Sequence, residues 1–387
     1  MNALPIGALL ALATTGFLAL LTEIIPAGTI SLISAGMGVS ESVAGQFITL
    51  YAAGALVAAI PMTAATITWR RKPLLLCTLA ILLLANALTA ITDNLYLVLA
   101  VRFLAGVAGA MIWGMLAGYA RRMVPDHLKG RALAIAGVGT PLALSIGVPL
   151  GSWLGGLFGW RFAFVALAVL TLVAIIWIAL MVPDYPGQQS GSRSSLTRVL
   201  RISGVRQVLT VLVGWVLAHS ILYTFVVPFL ATAGMAEQSE TVLLAFGLAS
   251  LAGIWVAGAL IDGHLRRLVL LSLLGFAVAA LVLGVAANSA PAVYCAVLLW
   301  GLTFGGSPAL LQTASADAAG EHADVAQAML VTCWNSAIAI GGIIGGVLLD
   351  TLGAQSFPWA LLVLLIPAIL LAWRSQQHGF PPSGVLI

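Results

Sequence analysis

The chain has 387 residues, of which 61% are hydrophobic and only 7% charged, with a formal net charge of +4 and a mean hydropathy of +1.12. A soluble domain carries about 25% charged residues, so this composition excludes an ordinary soluble enzyme or a nucleic-acid-binding module and points to an integral membrane protein, expected to be all-α from the long apolar runs that follow. Cys77, Cys295 and Cys333 stand singly in apolar segments, without CxxC or Cys/His spacing, which excludes a disulfide framework and a zinc site.

A membrane span needs about 20 apolar residues. Polar or turn-rich breaks divide the chain into twelve such runs, roughly 6–30, 43–67, 73–92, 95–120, 131–156, 161–182, 207–232, 241–262, 267–288, 291–316, 324–349 and 357–374. The first run has no basic region before it and is long enough to span, so it reads as span 1 and not as a signal peptide. It contains LALLTEIIPAGTISLI, with Glu23 in its middle and Pro26 three residues later. A carboxylate in the hydrocarbon costs about 3 kcal/mol even on lenient insertion scales, so Glu23 marks a functional site by default.

The basic residues order the spans. Arg70, Arg71 and Lys72 follow span 2, and Arg121, Arg122, Lys129 and Arg131 follow span 4. Arg193, Arg198, Arg201 and Arg206 lie between spans 6 and 7, Arg266 and Arg267 after span 8, and Arg374 after span 12. One side thus holds fourteen of the 16 basic residues; Arg161 is on the other, and Arg102 falls inside span 4. The positive-inside rule then places both termini in the cytoplasm. Asp317, Glu321 and Asp324 make the loop after span 10 acidic, but acidic residues weigh little in orientation.

The stretch PDYPGQQSGSRSSLTRVLRISGVR at 183–206 is the only long polar segment, and it is central. It reads as a cytoplasmic linker between two pseudo-symmetric six-helix bundles, 1–182 and 207–387, the second ending in a short cytoplasmic tail. The halves echo each other. TEIIP at 22–26 is answered by TFVVP at 224–228, and SESVA at 40–44 by SETVL at 239–243. Gly54 is answered by Gly253, and Gly147 and Gly151 by Gly341 and Gly345. Repeated six-helix halves around a linker are an architecture of secondary transporters.

Small residues recur every four positions in span 4 (Gly106, Ala110, Gly114, Gly118) and in span 5 (Gly139, Ala143, Gly147, Gly151, Gly155). Residues at i and i+4 share a helix face, and small faces let membrane helices approach closely. Pro149 within GVPLG removes one backbone hydrogen bond and makes span 5 a place to bend.

Together these motifs resemble the major facilitator superfamily, specifically its twelve-span drug:proton antiporter branch and the arabinose/sugar-efflux-type permeases within it. The family's span-4 pattern appears as Arg102, Gly106 and Ala110, and its span-5 antiporter signature resembles GVGTPLALSIGVPLGSWLG at 137–155, with Val148 where many members carry Gly. Its loop motif appears between spans 8 and 9 as Gly258, Asp262, Arg266 and Arg267, with Leu265 in place of the second glycine. The same motif is normally best formed between spans 2 and 3, yet here that region reads PMTAATITWRRKP and no acidic residue occurs from 42 to 92. The resemblance therefore leaves Asp262 as the one aspartate for the gating contacts that the family attributes to this motif.

Glu23 lies about seven residues before the outer end of span 1, and Arg102 about eight after the outer start of span 4. At about 1.5 Å per residue both sit roughly 10–12 Å below the outer surface. Opposite charges at matching depth are expected to be partners. The second repeat has Phe225 in the glutamate's place and LLWGLTFGG, uncharged, opposite Arg102. The fold thus needs neither ion, and charge confined to one half suggests coupling chemistry. A carboxylate's proton affinity responds to burial and to neighbouring cations, so Glu23 is the expected proton carrier. Arg102 is its modulator or an anchor for substrate oxygen.

His219, with Tyr223 one turn on, sits in span 7; Trp113 is in span 4, Trp300 in span 10, and Trp334 and Asn335 in span 11. The resemblance implies a cavity built mainly from spans 1, 4, 7 and 10, so these residues and Phe225 are candidate substrate contacts, with sparse polar anchors among aromatic surfaces suiting an amphipathic compound. The expected function is export of a drug, sugar or metabolite in exchange for protons, by alternating access. Symport uptake and facilitated diffusion are the alternatives within transport. A membrane enzyme is disfavoured because Asp126 and His127 have no nucleophile or ligand partner nearby, and a sensor because no sizeable polar domain exists. No GxxxxGK[ST] occurs, so a nucleotide-driven pump is not expected. The expected partners are a small-molecule substrate, protons and the lipid bilayer. No cofactor beyond the proton gradient is expected, nor any metal, and the expected setting is a monomer in the bacterial cytoplasmic (inner) membrane.

Overall fold

A computed structural model describes residues 4–59, 61–66, 68–125, 128–187 and 199–380; within these ranges the side chains of 63, 64, 130, 262, 321 and 324 lie outside the description. Among the described residues there is no strand, and twelve helices are long and apolar enough to cross a membrane. They are α1 Ile6–Gly28, α2 Glu41–Ala59, α3 Arg71–Ile91, α4 Leu95–Arg122, α5 Arg131–Phe158 and α6 Trp160–Met181. The second set is α7 Ser203–Thr224, α8 Ala236–Ile261, α9 Gly263–Val285, α10 Ala290–Ala319, α11 Val325–Leu352 and α12 Ala354–Arg374. The chain divides into two compact units, residues 1–40 with 46–191 and residues 41–45 with 192–387.

The helices end where the local chemistry requires it. Ala59 closes α2 just before Pro61, which begins a short helix, Pro61–Thr66, so the second span is shorter than the apolar run that encodes it. Gly159 (φ +89°) turns the chain between α5 and α6, and Gly353 (φ +77°) between α11 and α12. Both need the left-handed region that glycine enters freely. No comparable loop separates α8 from α9; the helix continues through a kink at His264. In α5 one π turn, Ala143–Gly147, immediately precedes Val148 and Pro149. The helix thus widens locally just before Pro149, at the place where a bend is expected.

Glycine sets the closest approaches within each unit. A Cβ on Gly54 would strike the carbonyl of Phe103, and one on Gly106 the carbonyl of Tyr51, so α2 and α4 touch backbone to backbone. In the other unit Gly253 meets the Leu302 carbonyl and Gly305 the Ser250 carbonyl, bringing α8 and α10 together. Each of these four residues stands 199 positions after its counterpart (54 to 253, 103 to 302, 106 to 305, 51 to 250). The repeat is therefore one of packing as well as of sequence. In membranes such contacts hold helices by van der Waals fit, because lipid tails give no hydrophobic drive.

The span-5 glycines pack in order along α1. Gly139 faces Ala13 and Phe17, Gly147 faces Phe17 and Leu21, Gly151 faces Ile25 and Gly155 faces Thr29. Positions rise together on both helices, so α1 and α5 run parallel. Their equivalents pack likewise, Gly341 on Leu217 and Ser220, and Gly345 on Ile221 and Phe225. The span-4 stripe is shorter than its spacing suggests: Gly106 and Gly109 are at the Tyr51 contact, while Gly118 faces open space.

An ion pair marks each end of unit 1. Arg161, at the start of α6, pairs with Asp93 in the α3–α4 connection and lies over the Trp160 ring at 4.3 Å. At the other end Arg70 pairs with Asp184 at 2.5 Å. The expected linker is accordingly narrower than 183–206. Residues 183–187 bond to the ends of α3 and α4, Ser203 already begins α7, and residues 188–198 lie outside the description.

Candidate functional site

In unit 1 the site begins with Pro26. A proline has no N–H, so the carbonyl four residues earlier, Thr22, loses its helical partner. Arg102 of α4 takes that place: its Nη2 donates to the Thr22 carbonyl at 2.6 Å and to the Glu23 carbonyl at 3.3 Å. Its Nε donates to the carbonyl of Phe47 on α2 at 3.1 Å. The guanidinium is fully buried and lies 5.3 Å from the centre of the Tyr51 ring and 5.8 Å from that of Phe164. One cation therefore ties three helices through backbone oxygens and aromatic faces, which is how a charge is held away from water.

Glu23 is 7% exposed. Among the described residues no ion pair within 4.0 Å joins its carboxylate to Arg102. The two expected partners are brought to the same turn of α1, but the guanidinium bonds to carbonyls through Nη2 and Nε, its Nη1 finds no hydrogen-bond partner among the described residues, and the carboxylate stays outside an ion pair. The oxygen that Pro26 sets free competes with the carboxylate for the cation.

Three further residues complete this site. Asn86 of α3, fully buried, donates through Nδ2 to the Thr22 hydroxyl at 3.0 Å. Tyr51 donates to the carbonyl of Ala19 at 3.1 Å, and Phe47 supplies its carbonyl. Asn86 was legible as an amide inside an apolar run; the other two read as ordinary packing residues.

Unit 2 has no charge at the matching place. Arg102 corresponds, by the same 199-residue offset, to Gly301, where a Cβ would stand 2.5 Å from the carbonyl of Phe246, the counterpart of Phe47. Beside it is an aromatic cluster around His219. Phe304 stacks on the imidazole with centroids 3.5 Å apart and planes 5° apart, and Tyr223 and Phe246 lie at 5.1 and 5.9 Å. The Trp300 indole donates to His219 Nδ1 at 3.2 Å. An indole N–H is only a donor, so Nδ1 is an acceptor and the ring proton belongs on Nε2. The Tyr223 hydroxyl is buried and finds no hydrogen-bond partner among the described residues.

The remaining candidates divide. Trp334 reaches the cluster, 6.1 Å from Phe304, and Trp113 packs near Gly16 of α1. Asn335 bonds back to the carbonyl of Val331 on its own helix. Phe225 is fully buried at a helix break, against Gly345 and Phe357, so it is a packing residue and not a lining one: the pattern could not tell which face it takes. Gly258 faces open space, Arg267 is exposed, and the Asp262 side chain lies outside the description. Arg266 is buried and donates to the carbonyls of Ala372, Trp373 and Phe380 at 2.7–3.0 Å. No group of three His, Cys, Asp or Glu side chains suited to a metal gathers among the described residues.

Repeated helical packing, a buried cation on a broken helix and an uncharged aromatic counterpart define a polytopic membrane carrier. The chain belongs to the Major Facilitator Superfamily, whose profile matches residues 12–338 and 236–382, and it is a transporter of that family. It is 30% identical over 343 residues to the purine ribonucleoside efflux pump NepI of Shigella dysenteriae, covering 87% of this chain and 86% of the relative. It is also 31% identical over 386 residues to a Pseudomonas aeruginosa protein named transcription regulatory protein OpdE, covering 96% and 94%.

Proposed function

We propose that this transporter exports a small amphipathic organic compound in exchange for protons, with Glu23 as the proton carrier and Arg102 as its fixed neighbour. The observation that carries the reading is Arg102 bonded to the Thr22 and Glu23 carbonyls while the Glu23 carboxylate remains outside an ion pair. A carboxylate locked onto a guanidinium resists protonation; one whose neighbouring cation is bonded instead to backbone carbonyls can take and release a proton as the helices shift. Efflux is supported by the likeness to a purine ribonucleoside efflux pump. The His219 cluster suits a flat ring, with the Tyr223 hydroxyl and His219 Nε2 as polar contacts, so nucleosides are the first compounds to try. The reading places the protein in a bacterial inner membrane as a monomer, with both termini cytoplasmic.

The test is exchange in proteoliposomes. Purine nucleosides, sugars and amphipathic drugs are offered against an imposed pH gradient, and substrate and proton fluxes are read together. Proton flux that depends on substrate supports antiport; substrate flux without proton flux makes the protein a facilitator.

A further inference from the structure

His219 of unit 2 is held by both face and edge. Phe304 covers one face of the imidazole, with centroids 3.5 Å apart and planes 5° apart, and Tyr223, one turn further along α7, stacks at 5.1 Å. At the ring edge Nδ1 accepts from the Trp300 indole at 3.2 Å. Trp300 is itself fixed: it is 1% exposed, Phe276 of α9 lies parallel to it at 6.0 Å, and Phe246 of α8 is 4.4 Å away. A buried indole N–H left without an acceptor costs about 1–3 kcal/mol, so the Trp300 proton and the Nδ1 lone pair hold each other in place.

A neutral imidazole has one donor and one acceptor, and here the acceptor is spent on Trp300. What His219 offers a bound molecule is therefore a donor, Nε2–H. The residue is half-buried, and no described residue accepts from Nε2. Two more polar atoms of the cluster are buried without a partner among the described residues: the Tyr223 hydroxyl and the indole N–H of Trp215, whose ring meets Phe304 edge to face at 6.5 Å. The side chains stacked around His219 are all uncharged. The polar atoms on offer are thus mostly donors, set among flat apolar surfaces. Trp300 and Phe304 correspond, by the 199-residue offset, to Val101 and Ala105, so the shared helical frame needs neither aromatic ring.

We propose that Trp300 is a positioning residue for substrate selection: by donating to Nδ1 it clamps His219 as a hydrogen-bond donor, and the site takes neutral, flat heteroaromatic compounds that present an unprotonated ring nitrogen at their edge. A compound with C–H in place of that nitrogen leaves the Nε2 proton unpaired, and a site built to pair a polar group rejects the analogue that lacks the matching atom. The selection rests on the transporter reading above; the clamp itself does not.

The test has two arms, both on purified full-length protein. The first is the nitrogen-15 spectrum of the histidine rings, with the His219 signals assigned by their loss in His219→Gln. The parent is expected to show a bare Nδ1 and a protonated Nε2, and Trp300→Phe a mixture of the two tautomers. A protonated Nδ1 in the parent, or an unchanged spectrum in Trp300→Phe, would overturn the clamp. The second arm is exchange in proteoliposomes of adenosine and its 1-, 3- and 7-deaza analogues, each of which replaces one ring acceptor by C–H. In the parent one analogue is expected to raise KM about tenfold or more, and the other two less than about threefold. That discrimination should shrink to under about threefold in Trp300→Phe and in His219→Phe. It should persist in His219→Gln, whose amide accepts from Trp300 and donates to the compound at once. Equal KM for all four compounds in the parent, or full discrimination in His219→Phe, would overturn the selection. If the parent exchanges none of the four, the assigned substrate class falls with the reading it rests on, and the spectrum alone decides the clamp.

Discussion

The α2–α4 seam of unit 1 and the α8–α10 seam of unit 2 are built on the same glycines and carbonyls, yet their centres differ in kind. Arg102 crosses the first, bonded to Phe47, Thr22 and Glu23, while Gly301 occupies the matching place beside Phe246. Since unit 2 packs its seam without a cation, the shared frame does not require one. The aromatic cluster around His219 lies beside that glycine. One repeat has thus specialised in charge and the other in flat apolar surface, on a shared frame. The proposed exchange would use the first surface for the proton and the second for the compound.

Breaking the shared frame should have the largest effect, and the same one in both units. Gly106→Leu and Gly305→Leu each push a side chain into a backbone carbonyl, and overpacking of this kind costs about 1–3 kcal/mol or more. Both variants should show little folded protein by size-exclusion chromatography. A normal yield from one of them would mean that the seams are not equivalent.

The next largest effect should be one-sided. Arg102→Leu leaves the Thr22 carbonyl unpaired, at about 1–3 kcal/mol, and should abolish substrate-driven proton flux even in the protein that folds. Gly301→Ala, its counterpart, meets the Phe246 carbonyl at 2.5 Å. It should lower the melting temperature while leaving the ratio of protons to substrate unchanged. A changed ratio in Gly301→Ala would remove the contrast.

Smaller effects belong to the cluster. Tyr223→Phe should raise KM about fivefold, equivalent to about 1 kcal/mol, and His219→Gln should act in the same direction, neither altering the proton ratio. Unchanged KM values in both would remove the cluster from the substrate path.

The smallest effect concerns residues 183–187, where Asp184 accepts from the Lys72 N–H and pairs with Arg70. Burial works against the Asp184 charge, but the Lys72 N–H, the Arg70 guanidinium and the Tyr185 N–H together hold its carboxyl below the usual range. Lys72, Arg71, Arg121, Arg122, Tyr119 and Tyr185 are the other titratable groups of residues 183–187 and of the α3 and α4 ends they bond to. A lowered carboxyl contributes stability that is complete above its unfolded value of about 3.9 and lost as pH falls through the folded value. The melting temperature of the parent should therefore approach that of Asp184→Asn as pH falls below the unfolded carboxyl value of about 3.9. A gap that stays constant as pH falls further would assign the difference to packing.

Much of this was legible in the sequence, for reasons that also mark its limits. Twelve apolar runs and the glycine echoes at 54/253 and 147/341 gave the spans and the repeat, because length and small-residue spacing are local properties. Glu23 and Arg102 were found by their cost in an apolar run. Their bonding was not, although Pro26 and Thr22 together predict a free carbonyl. His219, Tyr223 and Trp300 could be singled out by residue type, whereas Phe246 and Phe304 look like any other apolar residue until the fold stacks them on the imidazole. Asp184 was hidden differently: it lies in a polar stretch that reads as linker, 112 positions from the N–H it caps. No local pattern carries a contact of that range.

The most direct test of the account is proton movement in the Glu23→Gln variant, with nucleosides and amphipathic drugs as substrates and a pH dye inside the liposomes. The account predicts that the parent moves protons whenever substrate moves, and that Glu23→Gln folds, binds substrate and moves no protons. Proton flux in Glu23→Gln equal to that of the parent would contradict it and make the buried carboxylate a structural feature of α1.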